Sequence, residues 1–101
     1  MILIDCLTIY VSYLMNLSQA KILNHIKKTI GAIKKSKSKV IAVSNEVGAG
    51  IVPNNKLSRD YRDVLGKVNQ MFAHASDEFY VLFAGIPIDI KKLFIWRKSK
   101  R

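Results

Sequence analysis

Disulfide bonding within the chain is excluded at the outset, because the 101 residues contain one cysteine, Cys6. A single thiol fits a reducing cytoplasm. Acidic residues are also scarce, seven against seventeen lysines and arginines, and none lies between Cys6 and Asn45. No apolar run reaches the roughly 20 residues that a membrane-spanning helix needs. The apolar residues 1–17 lack the basic start of a signal peptide and carry Asp5 inside the stretch. A zinc motif and a nucleophile elbow are both missing. Gly48 and Gly50 do not make a Walker A loop, since their spacing is wrong and no Lys-Ser/Thr pair follows them.

Half of the residues are hydrophobic, which argues for a globular chain, and the length allows one domain at most. The formal charge of +10 is concentrated in two clusters. Lys21, Lys27, Lys28, Lys34, Lys35, Lys37 and Lys39 form the first; Lys91, Lys92, Arg97, Lys98, Lys100 and Arg101 form the second. Clustered cations gain affinity for nucleic-acid phosphates by releasing counterions. No aromatic residue interleaves with Lys27 to Lys39, so no base-stacking surface is visible there, and a solvated lysine face is the favoured reading.

The pattern along the chain alternates between strand and helix. Met1 to Asp5 is a short apolar run ending in a carboxylate, which suits a strand buried on both faces of a parallel sheet. Such a strand normally has chain on both sides to cover it, so its position at residue 1 points to a missing N-terminal portion. From Cys6 to about Leu17 the apolar residues fall at helical spacing, and Asn16 and Ser18 can end that helix and cap the next. Ile22, Leu23, Ile26, Ile30 and Ile33 make an apolar stripe with the lysines off it. The polar Ser36–Lys39 stretch ends the helix. Val40 to Val43 is a second buried run, followed by a glycine-containing loop, the place where α/β proteins gather ligand-binding groups. Leu57, Tyr61, Val64, Leu65, Val68, Met71, Phe72 and Ala75 form the clearest amphipathic helix. Phe79 to Ala84 is a third apolar run, punctuated by Gly85-Ile86-Pro87. This order predicts an α/β fold with a mainly parallel sheet and right-handed crossovers.

Candidate functional residues follow from this layout. Asp5, at the end of the first strand, can hold Mg²⁺ or contact a nucleotide, or it can cap the helix that starts at Cys6. Asn45 and Glu46 follow the second strand and should emerge on the same edge, either as site residues or as turn formers. Gly48 and Gly50 provide backbone geometry that a Cβ would block. Arg62 can bind a phosphate bidentately, or Arg62-Asp63 can be a solvated helix face. Asn69-Gln70 can hydrogen-bond a neighbouring loop or subunit, or be polar surface. His25 and His74 have no ligand spacing and read as ordinary helix residues.

Several ordered blocks resemble one family, the bifunctional adenosylcobinamide kinase/adenosylcobinamide-phosphate guanylyltransferases of cobalamin biosynthesis. Ile4-Asp5-Cys6-Leu7-Thr8 is similar to that family's acidic strand end followed by Cys-Leu/Ile-Thr. Val43 to Pro53 resembles its signature V-[ST]-N-E-V-G-x-G-I-V-P. Leu57 to Asp63 resembles L-[AS]-R-x-[FY]-R-D, and Gly66 to Gln70 resembles G-x-[VL]-N-Q. Ala75-Ser76-Asp77-Glu78 and Ala84-Gly85-Ile86-Pro87 complete the series.

The resemblance implies a partial P-loop-type three-layer α/β fold, lacking the P-loop strand and its neighbours. Residues 1–92 correspond to the C-terminal part of one nucleotide-binding domain, and 93–101 form an added basic tail. It implies two reactions: phosphorylation of adenosylcobinamide by a nucleoside triphosphate, then transfer of GMP from GTP through a guanylylated histidine. GTP or ATP with Mg²⁺, adenosylcobinamide and a homo-oligomeric state belong to the same implication. Asp5 takes the acidic nucleotide or metal position, where other members often have Glu, and Asn45, Glu46, Gly48 and Gly50 line the same edge. The family's phosphate loop and its histidine precede the region corresponding to Met1, and neither His25 nor His74 matches that histidine. The chain alone is therefore expected to be inactive, as a truncated gene product or as half of a split enzyme completed by an N-terminal partner fragment, with no catalytic residue of its own for guanylyl transfer. The rival expectation is a small basic nucleic-acid-binding or assembly protein.

Overall fold

The computed structural model describes residues 1–45 and 55–93. Strand β1 (Ile2–Asp5) leads into helix α1 (Leu7–Ser12), and helix α2 (Gln19–Lys35) leads into strand β2 (Val40–Val43). Helix α3 (Lys56–Ala75) is followed by strands β3 (Tyr80–Phe83) and β4 (Ile86–Asp89) and a short helix α4 (Ile90–Leu93). This is the expected α/β order, and β1 and β2 pair in parallel, with Ile2 opposite Val40 and Asp5 opposite Val43.

Helix boundaries follow local chemistry. Ser18 caps α2 by accepting the Lys21 amide on its hydroxyl at 3.3 Å, and Asn55 caps α3 by accepting the Ser58 amide at 2.7 Å. The first helix is shorter than its apolar spacing suggested. It stops at Ser12, and the chain tightens into successive turns, with Leu14 N–H donating to Val11 and Leu17 N–H to Leu14, both at 2.9 Å.

The core sits among helices. Leu7 and Val11 of α1, Ile22 and Ile26 of α2, and Val64, Leu65 and Val68 of α3 are buried. On α2 and α3 they are the apolar stripe at steps of three and four, while Lys21, Lys27, Lys28, Lys34 and Lys35 are all exposed. The strands are not enclosed in this way. Leu3 is 61% exposed and Ile41 42%, so the β1–β2 pair lacks the double cover that parallel strands usually carry.

The third apolar run departs from the expected parallel sheet. Here β3 turns back on itself and pairs antiparallel with β4, Tyr80 opposite Asp89 and Phe83 opposite Ile86. Ala84 and Gly85 make the two-residue loop with φ of 52° and 78°, the positive values that a tight hairpin requires. The ladder is thus satisfied locally, without a place beside β2. Lys91 ties the hairpin to α3 by donating to the Ser76 carbonyl, where a cation also complements the helix C-terminus.

Candidate functional site

Parallel strands end on the same side, so Asp5 and the residues after Val43 come out at one edge, on neighbouring strands about 5 Å apart. Asp5 is exposed, and among the described residues its carboxylate makes no hydrogen bond or ion pair. It does not cap α1: the N-cap position belongs to Cys6, which makes no side-chain cap bond. The Asp5–Cys6 peptide bond is cis.

Asn69 of α3 holds the other side of this edge. Its Oδ1 accepts the Ser44 hydroxyl at 2.6 Å, and its Nδ2 donates to the Asn45 carbonyl at 2.8 Å. The Asn45 side chain is left exposed. Of the two readings for Asn69-Gln70, contact with a neighbouring loop is the one seen for Asn69, while Gln70 is exposed. Glu46, Gly48 and Gly50 lie outside the described residues.

Behind the edge, the Tyr61 hydroxyl donates to the Thr8 carbonyl at 2.7 Å. Burial raises the Tyr61 pKa above the ordinary phenol value, and the nearby Cys6 side chain adds to the rise. Sequence reasoning placed Tyr61 only in the apolar stripe; nothing in the pattern marks its hydroxyl, because the acceptor is a backbone carbonyl far away in the chain. Arg62 and Asp63 part company: Arg62 is half-buried with its Nη1 enclosed, and Asp63 is exposed. His25 is exposed with its ring edge-on to Tyr10, and His74 is exposed near the end of α3. Among the described residues no group of three His, Cys, Asp or Glu side chains could hold a metal. A shallow groove of about 390 Å³ lies between α2 and α3, lined by Lys27, Ile30, Met71, His74 and Ala75, and it includes none of the edge residues.

Thr8 carries an enclosed hydroxyl, Oγ1, with no hydrogen-bond partner among the described residues. A desolvated hydroxyl without a partner costs about 1–3 kcal/mol. Thr8→Val keeps the shape and leaves the backbone acceptor for Tyr61 intact. It is expected to hold or raise the urea midpoint, and a lower midpoint would show that the hydroxyl has a stabilising partner.

These features define an α/β chain with an acidic strand end and a pinned loop start on one sheet edge. Residues 1–90 match the family model described as cobinamide kinase / cobinamide phosphate guanyltransferase, and the chain belongs to that family. It is 46% identical over 68 residues to the bifunctional adenosylcobalamin biosynthesis protein CobU of Salmonella typhimurium, covering 67% of this chain and 38% of the relative. The CobU of Escherichia coli is 44% identical over 66 residues, covering 65% and 36% respectively. CobP of Pseudomonas aeruginosa is 31% identical over 91 residues, covering 89% and 53%. The chain thus spans between about a third and a half of the curated relatives it matches. No helix among the described residues is long and apolar enough to cross a membrane.

Proposed function

We propose that this chain supplies one part of a transferase that phosphorylates adenosylcobinamide and then joins GMP from GTP to the phosphate, in cobalamin biosynthesis. The observation that carries the reading is the family match over residues 1–90, which includes the Asp5 strand end and the Asn45 loop start at a common edge. The phosphate loop and the guanylyl-accepting histidine would come from a segment outside these 101 residues, in which no G-x-x-x-x-G-K-[ST] sequence occurs. The exposed apolar side chains of β1 and β2, Leu3 and Ile41 among them, give that segment a surface to cover.

Within that assembly the chain's own residues bind and orient. Asp5 would hold Mg²⁺: its carboxylate is exposed and, among the described residues, unpaired, and a single carboxylate suits an ion that is usually bound through one or two carboxylates together with substrate phosphates. When bound, the ion neutralises charge that builds up on the phosphate oxygens during transfer. The exposed Asn45 amide would hydrogen-bond the nucleotide or the cobinamide side chain, and Arg62 would contribute positive charge near the phosphates.

The test is complementation. The purified chain is incubated with GTP and adenosylcobinamide, with and without the portion of the Salmonella typhimurium relative that precedes the matched region. The expected result is no product from the chain alone, and phosphorylated then guanylylated product from the mixture. Product from the chain alone overturns the need for a partner. Failure of the mixture, where the same portion works with its own remaining sequence, overturns the proposed function.

A further inference from the structure

Three residues at steps of four on α3, Tyr61, Leu65 and Asn69, form one ridge along the helix. The middle one, Leu65, is completely buried in the helical core. The outer two make polar ties to the segments that follow the two parallel strands: Tyr61 to the Thr8 carbonyl after β1, Asn69 to Ser44 and Asn45 after β2. A helix rises about 1.5 Å per residue, so the two ties are about 12 Å apart on a rigid rod. The rod is anchored in the core at its midpoint, and it therefore sets where the two strand ends stand relative to each other.

We infer that Asn69 is a positioning residue for the transferase site, acting through Asn45, with Tyr61 performing the matching task behind Asp5. The inference rests on the proposed reading of Asp5 and Asn45 as the nucleotide edge. The amide of Asn69 is suited to the task because it is bipolar. A carbonyl can only accept, so Nδ2 must face Asn45, and the Ser44 hydroxyl then finds Oδ1 as its acceptor. Both groups are used, and the amide orientation is fixed. Holding the Asn45 backbone fixes the origin of its exposed side chain and the direction in which the chain leaves β2. Misplacing a reacting group by about 1 Å can cost a hundredfold in rate. Neither tie touches a reacting atom; an Asn45 that still bonds its substrate from a displaced position leaves the bound groups out of line for attack, so the loss falls mainly in turnover.

The experiment uses the full chain, first alone and then in the complemented assembly. In the chain alone, Asn69→Ala is expected to speed amide exchange at Ser44 and Asn45 while the α3 amides around Val64 to Val68 keep their protection. In the assembly, Asn69→Ala is expected to lower kcat by about 10- to 100-fold with KM for GTP changed less than about threefold. Ser44→Ala removes one of the two bonds and should give an intermediate loss. Asn69→Asp cannot donate to the Asn45 carbonyl and should resemble the alanine variant. An unchanged kcat for Asn69→Ala, in an assembly that Asp5→Asn still inactivates, overturns the inference alone. An assembly in which both substitutions are silent overturns the reading of the edge and the inference with it. Uniformly faster exchange along α3 would make Asn69 a general stabiliser and also overturns the inference.

Discussion

Leu65→Ala is expected to remove a large part of the chain's folding stability and to lower its urea midpoint sharply. Leu65 is wholly shielded from solvent at the centre of α3, in a core that comprises, among the described residues, seven buried side chains drawn from three helices. Truncating a buried leucine to alanine costs about 2–5 kcal/mol, the larger values where the walls cannot collapse into the cavity. Collapse is hindered here, because α3 is held at both ends of the same ridge by Tyr61 and Asn69. Small domains have about 5–15 kcal/mol to lose, and this one leaves its strands half-exposed, which places it at the low end. Leu57→Ala on the same helix is the control, since Leu57 is 68% exposed and its loss should move stability by no more than about 0.5 kcal/mol. Leu65→Met keeps the volume and should cost less than about 1.5 kcal/mol. Urea denaturation followed by circular dichroism separates the three. A midpoint for Leu65→Ala equal to that of Leu57→Ala would place the stabilising core elsewhere.

The helices of this core were legible in the sequence because their signal is periodic. Ile22 and Ile26, and Val64, Leu65 and Val68, fall on the stripes that spacing alone picks out, and these are the residues found buried. The common edge for Asp5 and Asn45 was legible for a related reason: parallel pairing of two strand runs puts both C-terminal ends on one side. The hairpin was not. Phe79 to Ala84 reads as a third apolar strand under either arrangement, and the difference lies in two backbone φ angles at Ala84 and Gly85 that hydrophobicity does not encode. The burial expected for β1 also fails, since an apolar run records what a strand is suited to touch and not what is there to cover it. Tyr61 and Asn69 bond mainly to backbone carbonyls, which every residue carries, so no residue type at the other end announces the contact.

Asp5→Asn, tested in the complemented assembly, is expected to lower kcat/KM for the kinase step by about a hundredfold or more. The substitution keeps size and hydrogen-bonding shape while removing the charge, so it isolates what the carboxylate does. A carboxylate that helps hold a phosphate-bound Mg²⁺ supports several kcal/mol of charge stabilisation in the transition state, and each 1.36 kcal/mol is tenfold in rate. Stability should change little, because Asp5 is exposed and makes no hydrogen bond or ion pair among the described residues. That contrast decides between the two readings the sequence left open. A helix-capping aspartate truncated to alanine would cost about 1 kcal/mol of stability and leave turnover of the folded fraction unchanged, whereas asparagine caps as well as aspartate. The cap is already placed at Cys6, without a side-chain bond, so the loss should appear in rate. Raising Mg²⁺ should recover part of the activity of Asp5→Asn, and Asp5→Glu, which restores the charge on a longer arm, should retain most of it. A full rate for Asp5→Asn at limiting Mg²⁺ would remove the carboxylate from the chemistry. A lowered urea midpoint for Asp5→Ala, with normal turnover in both Asp5→Ala and Asp5→Asn, would return it to a structural role.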